Sequence, residues 1–412
     1  MKTVFLAGGV GKRMAPLKRS KCLLPFLGET LIHRHLRLAS KAGLEDFIIV
    51  ANPTNKEPIA KALKDYASSS EIVIQRKPRG MGNAILQSKK LVSGVPLLIV
   101  GADEIFDYEA YQKIIDAKDK QGADSLILAE KVETYFPGGY LLMEEGNIKG
   151  IVEKPGEGNE PSSLVNVIMH YHTHSQKLFK LIEAVKTKRD DEYERAMDRM
   201  MKEMTFKAVS YSGWKAIKYP WHILGVMDHF LEQINEEKIA SNVEISDKAT
   251  IDGPVWIEEG SKVLEGAVIR GPSYIGKDVL IGNNSLVRSA HLCDETVVGF
   301  GSEVKHSYVS GGTFIHNSYV GDSVLDKNCN LGAGTVLANW RFDEQEVKVT
   351  VQGTEVNTHL EKLGAFLGPN CKTGVNSSTM PGVKMGEGSR LGPNLALNRD
   401  LEEKEIFSKD PD

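Results

Sequence analysis

Between Leu6 and Pro25 the chain reads LAGGVGKRMAPLKRSKCLLP, with Gly8, Gly9 and Gly11 falling within four residues. Glycine adopts positive φ without a Cβ penalty and lets a ligand approach the backbone, so such a loop can aim its N–H groups at phosphate. Lys12, Arg13, Lys18, Arg19 and Lys21 follow within ten residues of Gly11, a density of cation that a triphosphate requires. The chemistry this pattern would serve is the binding of a phosphate chain. On glycine spacing alone it also reads as a strand-to-helix turn with a solvated basic face, because a short glycine motif is a weak signal.

Two further positions could act beside such a loop. Gln75 opens QRKPRGMGNAI. A glutamine amide donates and accepts at once, which suits the imide edge of uracil or thymine, and Gly80 and Gly82 admit main-chain contact with a base. The plain alternative is a helix N-terminus with a glycine turn. Asp103, in GADEIFD, follows the apolar run Pro96–Val100. A carboxylate at a strand end beside a triphosphate is a natural Mg²⁺ ligand, since magnesium takes few protein carboxylates and keeps phosphate oxygens and waters. In isolation such an acid would serve as a helix cap.

These residues need a scaffold. From residue 1 to about 227 the chain alternates strand-like runs, at Thr3–Leu6, Ile48–Ala51, Ile72–Gln75 and Pro96–Val100, with helical patterns such as that of Leu31, Ile32, Leu36 and Leu38. The alternation predicts a parallel or mixed sheet covered by helices, with ligands gathered at the carboxyl ends of its strands. Val226 to Ala240 has helical spacing and predicts a connecting helix. The expected division is therefore 1–227, a linker helix at 228–241, and 242–412.

Beyond the linker the period changes. Ile245, Ile251, Ile257, Val263, Ile269, Ile275, Ile281 and Val287 recur every six residues. Neither a helix nor an alternating strand gives that repeat. Hexads with one inward aliphatic predict a parallel β-helix, three hexads to a coil. The register slips after Val287, continues through Leu292, Val298, Val304, Val309 and Ile315, and returns in phase at Leu367, Met385 and Leu391. Asp343 to Lys362 reads as a charged excursion from the coils.

Lys and Arg number 51 against 55 Asp and Glu, a formal net charge of −4, which supplies neither a nucleic-acid surface nor an acidic tail. The four cysteines, Cys22, Cys293, Cys329 and Cys371, lack metal-ligand spacing and read as reduced packing residues. No apolar run reaches the roughly 18 residues of a membrane span, and the first is too short for a signal peptide. A cytoplasmic protein with small-molecule substrates, and with no nucleic-acid or membrane partner, is expected.

The opening string as a whole resembles the signature of the sugar-1-phosphate nucleotidylyltransferases, roughly LAAGxGTRLxPLTxxxPKxLLPV, and matches it at Leu6, Ala7, Gly9, Gly11, Arg13, Pro16, Leu17, Lys21, Leu23, Leu24 and Pro25. The resemblance implies an α/β Rossmann-like domain in which Leu6, Ala7, Gly8, Gly9 and Gly11 hold a nucleoside triphosphate. Arg13 would sit on its phosphates, and Lys21 would contact the sugar phosphate and the reacting phosphorus. Gln75 and Gly80 fall on the family's base-reading segment and Asp103 on the aspartate of its GD motif. GGYLLMEEGNIKGIVEKP resembles the hairpin that ends in EKP; it implies that Gly139 brings main chain to the sugar, Glu153 takes hydroxyls and Lys154 a phosphate. Asn166 is kept in the strand LVNVIMHYH. The likeness thins at Gly213–Leu224, where Trp214 and Pro220 match but Ala216 replaces the aspartate that gives a second Mg²⁺ contact.

In the second half, EVKHSYVSGGTFIHNSYVGDS and NLGAGTVLANWRFD resemble the acetyltransferase half of the bifunctional N-acetylglucosamine-1-phosphate uridylyltransferases and shorter relatives acting on amino-sugar phosphates. The resemblance implies a left-handed β-helix. It places His316 as general base, Tyr319 and Asn330 along the amino-sugar site, Arg288 and Lys305 as sugar-phosphate contacts, and Asn339 as a further substrate-side residue. His316 also has a physical case, because amide formation needs a deprotonated amine near neutral pH, where histidine titrates. The acyl donor would be acetyl-CoA. Such solenoids usually place the site between coils of neighbouring subunits, implying a homotrimer or a multiple of one.

The expected protein is thus an enzyme that transfers a nucleotidyl group from UTP or dTTP to a sugar-1-phosphate with Mg²⁺, releasing pyrophosphate, and that N-acetylates an amino-sugar-1-phosphate. One alternative, which Ala216 permits, makes the N-terminal domain a sugar-nucleotide sensor or scaffold with only acetyl transfer active. Another leaves the solenoid to assembly alone.

Overall fold

In a computed structural model of the chain, residues 1–64, 66, 70–187 and 190–409 are described; the last three residues of the expected C-terminal domain lie outside them. Two compact units emerge. One comprises Met1–Val10, Ser20–Leu24 and Thr30–Ala216, the other Gly11–Arg19, Pro25–Glu29 and Ile217–Asp412.

The first unit is built on a mixed sheet of β1 (Lys2–Leu6), β2 (Phe47–Ala51), β3 (Ser70–Ile74), β4 (Leu97–Gly101), β5 (Ser125–Lys131), β6 (Gly139–Glu144), β7 (Asn147–Glu153), β8 (Leu164–His172) and β9 (Phe206–Tyr211). Its order is β7-β6-β8-β4-β1-β2-β3, with β5 on β8 and β9 on β5. The run β4-β1-β2-β3 is parallel, and β8 enters antiparallel against β4. β2 and β4 are buried along their whole length, which is why both read as continuous apolar runs instead of alternating ones. Around the sheet lie α1 (Leu31–Lys41), α2 (Lys56–Ala62), α3 (Gly80–Gln87), α4 (Lys89–Val92), α5 (Tyr108–Gln121), α6 (Ser175–Ala184) and α7 (Glu192–Met201). Thr30 caps α1 by accepting the N–H of His33, and the buried face of Leu31, Ile32, His35, Leu36 and Leu38 follows the helical period.

In the second unit α8 (His222–Leu231) begins before Val226 and stops well short of Ala240. The expected helix is cut because Lys238–Ile239 already pairs in parallel with Val255–Ile257 as the first rung of the solenoid. From there the chain forms a left-handed parallel β-helix of three sheets. Ile257 stacks on Ile275, then Leu292, Val309 and Leu325. The predicted hexad residues from Ile257 onward are buried. Ile245 is instead 36% exposed and Ile251 only half-buried, because the first coil has no preceding coil to cover it. The excursion after Leu337 carries a two-stranded hairpin, Lys348–Val351 with Thr354–Asn357, and the stack resumes where Leu325 meets Leu367.

The short N-terminal segments of this unit are anchored on the coils. Leu27 N–H donates to His291 Nε2 at 3.0 Å, the Tyr308 hydroxyl donates to the Pro25 carbonyl at 2.9 Å, and Phe26 stacks on Phe230 at 4.8 Å. All four cysteines are buried and free, and among the described residues no helix is long and apolar enough to cross a membrane.

Candidate active sites

In the first unit, β1 delivers Leu6 and Ala7 to the carboxyl end of the parallel run. Ala7 N–H donates to Val50 O at 2.8 Å. Two asparagines then gather the carbonyls of the glycine loop: Asn55 Nδ2 donates to Ala7 O at 2.7 Å, and Asn52 Nδ2 reaches Gly8 O and Gly9 O at 3.3 and 3.4 Å. Among the described residues the N–H groups of Gly8 and Gly9 meet no protein acceptor. A loop with its carbonyls engaged and its amides unspent is disposed to receive an anion. Of the three glycines only Gly11 adopts a positive φ, at 62°. Gly8 is required for a different reason, since a Cβ there would meet the side-chain oxygen of Gln75.

Gln75 is 3% exposed, and its Nε2 donates to Gly80 O at 3.0 Å and to Asn83 Oδ1 at 3.1 Å. Both amide hydrogens are therefore used, and Oε1 is left to accept. Gly80 has φ 85°, and any side chain there would meet the carboxylate of Asp190, which takes the N–H of Met81 at 3.3 Å.

Lys21 forms an ion pair with Asp103, so the cation and the acid singled out from sequence come together. His35 secures this corner: its Nε2 donates to Glu104 O at 2.9 Å, while Nδ1 meets the Tyr111 hydroxyl. Ala216 lies directly across from Glu104 in a two-residue ladder, and Glu104 accepts from the indole N–H of Trp214. Among the described residues no group of three or more His, Cys, Asp or Glu is placed to hold a metal. A single carboxylate such as Asp103 nonetheless suits Mg²⁺, which is held largely by phosphates and water.

Gly139 stands opposite Glu153 on the β6–β7 hairpin, and a Cβ there would lie 2.6 Å from Glu153 Oε1 and 3.5 Å from the Cβ of Asn166. Those three expected residues therefore cluster. Asn166 is buried, and its oxygen accepts from His170 Nε2 at 2.7 Å, which orients the amide so that its NH₂ can donate elsewhere. His170 is neutral, its pKa pushed down to about 3 by burial, so its other nitrogen accepts from the Tyr193 hydroxyl at 2.8 Å. Lys154 is exposed, with φ 48°.

In the second unit Arg13 holds its guanidinium 5.8 Å from the centre of the Tyr219 ring, a cation–π distance. On one face of the solenoid Arg288, Lys305 and Gly321 are stacked in register. Arg288 pairs with Glu303 at 2.6 Å, and Lys305 with Asp322 at 2.8 Å. Asn339 donates to the same Asp322 and lies beside Tyr319, whose phenol is pushed up mainly by burial. A Cβ on Gly321 would lie within 3 Å of both the Tyr319 hydroxyl and Asn339 Nδ2. Arg288, Lys305, Tyr319 and Asn339 thus form one group. His316 and Asn330 belong to the neighbouring sheet, where Phe314–Ile315 pairs with Asn330–Leu331; His316 is exposed, and among the described residues no hydrogen bond joins its ring to the group.

Sequence reasoning missed Asn52 and Asn55, whose only signal was an NPTN turn after a strand, and His306 and Asp322, which pair at 2.7 Å.

A nucleotidyl transferase family model matches residues 2–238, and a model of the hexapeptide repeat of succinyl-transferase matches 272–304. Over 99% of its length the chain is 36% identical to the whole of a Sulfurisphaera tokodaii protein named bifunctional sugar-1-phosphate nucleotidylyltransferase/acetyltransferase. Proteins named bifunctional protein GlmU from Methanococcus vannielii and Methanocaldococcus jannaschii are 30% and 32% identical, over 100% and 99% of this chain and 98% of each relative. With a glycine loop and a Lys21–Asp103 pair in one unit and a hexapeptide solenoid in the other, the chain belongs to the bifunctional sugar-1-phosphate nucleotidylyltransferase/acetyltransferase family.

Proposed function

We propose that the nucleotide donor is UTP or dTTP, that the first acceptor is a sugar-1-phosphate, and that the second activity moves the acetyl group of acetyl-CoA onto the amine of an amino-sugar-1-phosphate. Residues 1–227 would carry the first reaction and 242–412 the second.

For nucleotidylyl transfer, the free Oε1 of Gln75 supports a base that offers an imide N–H, as uracil and thymine do. The amides of Gly8 and Gly9 and the ammonium of Lys21 would neutralise phosphate charge while an oxygen of the sugar phosphate attacks the α-phosphorus in line. No protein nucleophile is needed, since positioning and charge neutralisation carry most of the rate. Asp103 would hold Mg²⁺, which supplies further neutralisation of the triphosphate. Glu153, Gly139 and the NH₂ of Asn166 suit sugar hydroxyls.

The observation that carries the second half is the assembly of Arg288, Lys305, Tyr319 and Asn339 on one solenoid face. Two cations beside a phenol and an amide suit a phosphorylated sugar. His316 would take the proton of the attacking amine. Phe300, Phe314, Val336, Trp340 and Phe342 are exposed apolar side chains of this solenoid region, which supports contact with further copies in a homotrimer. Light scattering in solution tests that assembly.

The reading in which the N-terminal half only senses or scaffolds is less favoured, because a relative named for both activities matches 99% of the chain. Pyrophosphate release with each of four nucleotides over a panel of sugar phosphates tests the first half. Thiol release from acetyl-CoA with glucosamine-1-phosphate or galactosamine-1-phosphate tests the second, and His316→Ala should abolish that signal alone.

A further inference from the structure

We infer that His306 and Asp322 are positioning residues of the acetyl-acceptor site, holding Lys305 and Asn339 in place and leaving the Lys305 charge available to the acceptor's phosphate. The inference rests on the reading of Lys305 and Asn339 as sugar-phosphate contacts.

The Asp322 side chain is 4% exposed. Oδ2 accepts from Lys305 Nζ at 2.8 Å and from Asn339 Nδ2, while Oδ1 accepts from His306 Nδ1 at 2.7 Å. On its far side His306 Nε2 meets the carboxylate of Asp228, on α8, at 3.0 and 3.1 Å. Ionised carboxylates only accept, so a ring with both nitrogens on carboxylates must donate from both and is an imidazolium. Burial opposes that charge, but hydrogen bonds and attraction from Asp228 and Asp322 outweigh it and take the pKa up to about 9. Burial likewise disfavours the charge on Asp322, and His306, Lys305 and Asn339 together hold its pKa below the ordinary value.

The charges near His306 come from α8 and from its own sheet: Asp228 and Asp322 against His306 and Lys305, with Arg288 paired to Glu303. Together they balance. Without the His306 proton the group becomes net negative, and Asp322 concentrates its charge on Lys305. A phosphate would then meet a committed ammonium and an excess carboxylate.

The test follows acetyl-CoA thiol release with glucosamine-1-phosphate as acceptor. His306→Gln should raise KM for the acceptor about tenfold, one pKa unit's worth of charge interaction, with kcat and KM for acetyl-CoA within about twofold. His306→Lys, which restores a cation, should bring KM most of the way back; a purely packing role would not be rescued. In the native protein KM for the acceptor should rise as pH passes about 9, and in His306→Lys that rise should vanish. Asp228→Asn, a milder change should the glutamine variant fail to fold, should move the rise to lower pH. Lys305→Ala separates the two levels. If it leaves KM unchanged, the reading of Lys305 falls and the inference with it. If it raises KM while His306→Gln and Asp228→Asn leave KM and its pH profile unchanged, the inference alone is overturned.

Discussion

The main-chain N–H of Lys18 donates to Oδ2 of Asp326 at 2.9 Å across 308 residues of sequence. Asp326 is 4% exposed, and its other oxygen takes the N–H of Lys327 at 2.8 Å. A buried solenoid acid thus fixes the basic segment that also carries Arg13. Asp326→Ala would leave that amide without its acceptor, at a cost of about 1–3 kcal/mol. The expected result is a lower melting temperature and a raised KM for the nucleotide, whereas Asp326→Asn, which keeps only one of the two acceptor oxygens, should fall between the alanine variant and the native protein. Calorimetry and steady-state pyrophosphate release check both; native behaviour of the alanine variant would refute the anchoring role.

Gly8 offers a sharper test of the glycine loop. A methyl group there would press on the Gln75 side-chain oxygen, and because Gln75 is buried and held by Gly80 and Asn83 it has little room to yield. Gly8→Ala should therefore raise KM for the nucleotide by roughly tenfold or more, as misplacement of a binding group does. Gly9→Ala meets nothing within 4 Å and should be the milder of the two in the same assay.

The contrast between those glycines marks how far the sequence could be read. Strands β1 to β4 and the hexad core were legible because burial imposes a period on residue type, and that period survives in one dimension. Lys21 and Asp103 were each singled out by motif position, but their pairing is a product of the fold. What stayed hidden depended on which neighbours tertiary packing supplies. Nothing in GGVG distinguishes the glycine that faces Gln75 from the one that faces open space. His306 and Asp228 lie 78 residues apart and meet only because α8 packs against the coils. Ile245 kept the hexad period yet remained exposed, since periodicity does not reveal where a stack begins. The helix predicted to Ala240 failed for a related reason: Lys238 and Ile239 have a β partner that local spacing cannot show.

Stability should depend on pH through Glu194. Its carboxyl is pushed up to about 8, first by burial and then by the charges of Glu153, Asp190 and Asp191. Because this lies above the ordinary 4.5, the native state keeps a proton that the unfolded chain releases. The contribution of Glu194 to stability is complete below 4.5 and is lost as pH rises through about 8, where the native state must bury a charge. Glu194→Gln should flatten that decline and raise stability at pH 8, as followed by denaturant midpoints across pH. His306 has the same sign over a higher window, with its contribution complete below 6.5 and lost as pH rises through about 9, so an upper slope should persist in the glutamine variant.

The Lys21–Asp103 pair is the place where the two activities can be separated. In the free protein each satisfies the other, and a bound phosphate with its cation would take over both partners. Lys21→Ala removes the cation that would pass from Asp103 to the bound phosphate, so kcat for pyrophosphate release should fall about a hundredfold or more. Asp103→Asn keeps the volume and loses the carboxylate. Its nucleotidylyl transfer should demand a higher Mg²⁺ concentration, because one negatively charged ligand is gone. Thiol release from acetyl-CoA should be native in both variants, since Arg288, Lys305, His316 and Asn339 all lie in the second unit. A native Mg²⁺ dependence in Asp103→Asn would remove Asp103 as the metal residue, and parallel loss of both activities would point to a damaged fold instead of a damaged site.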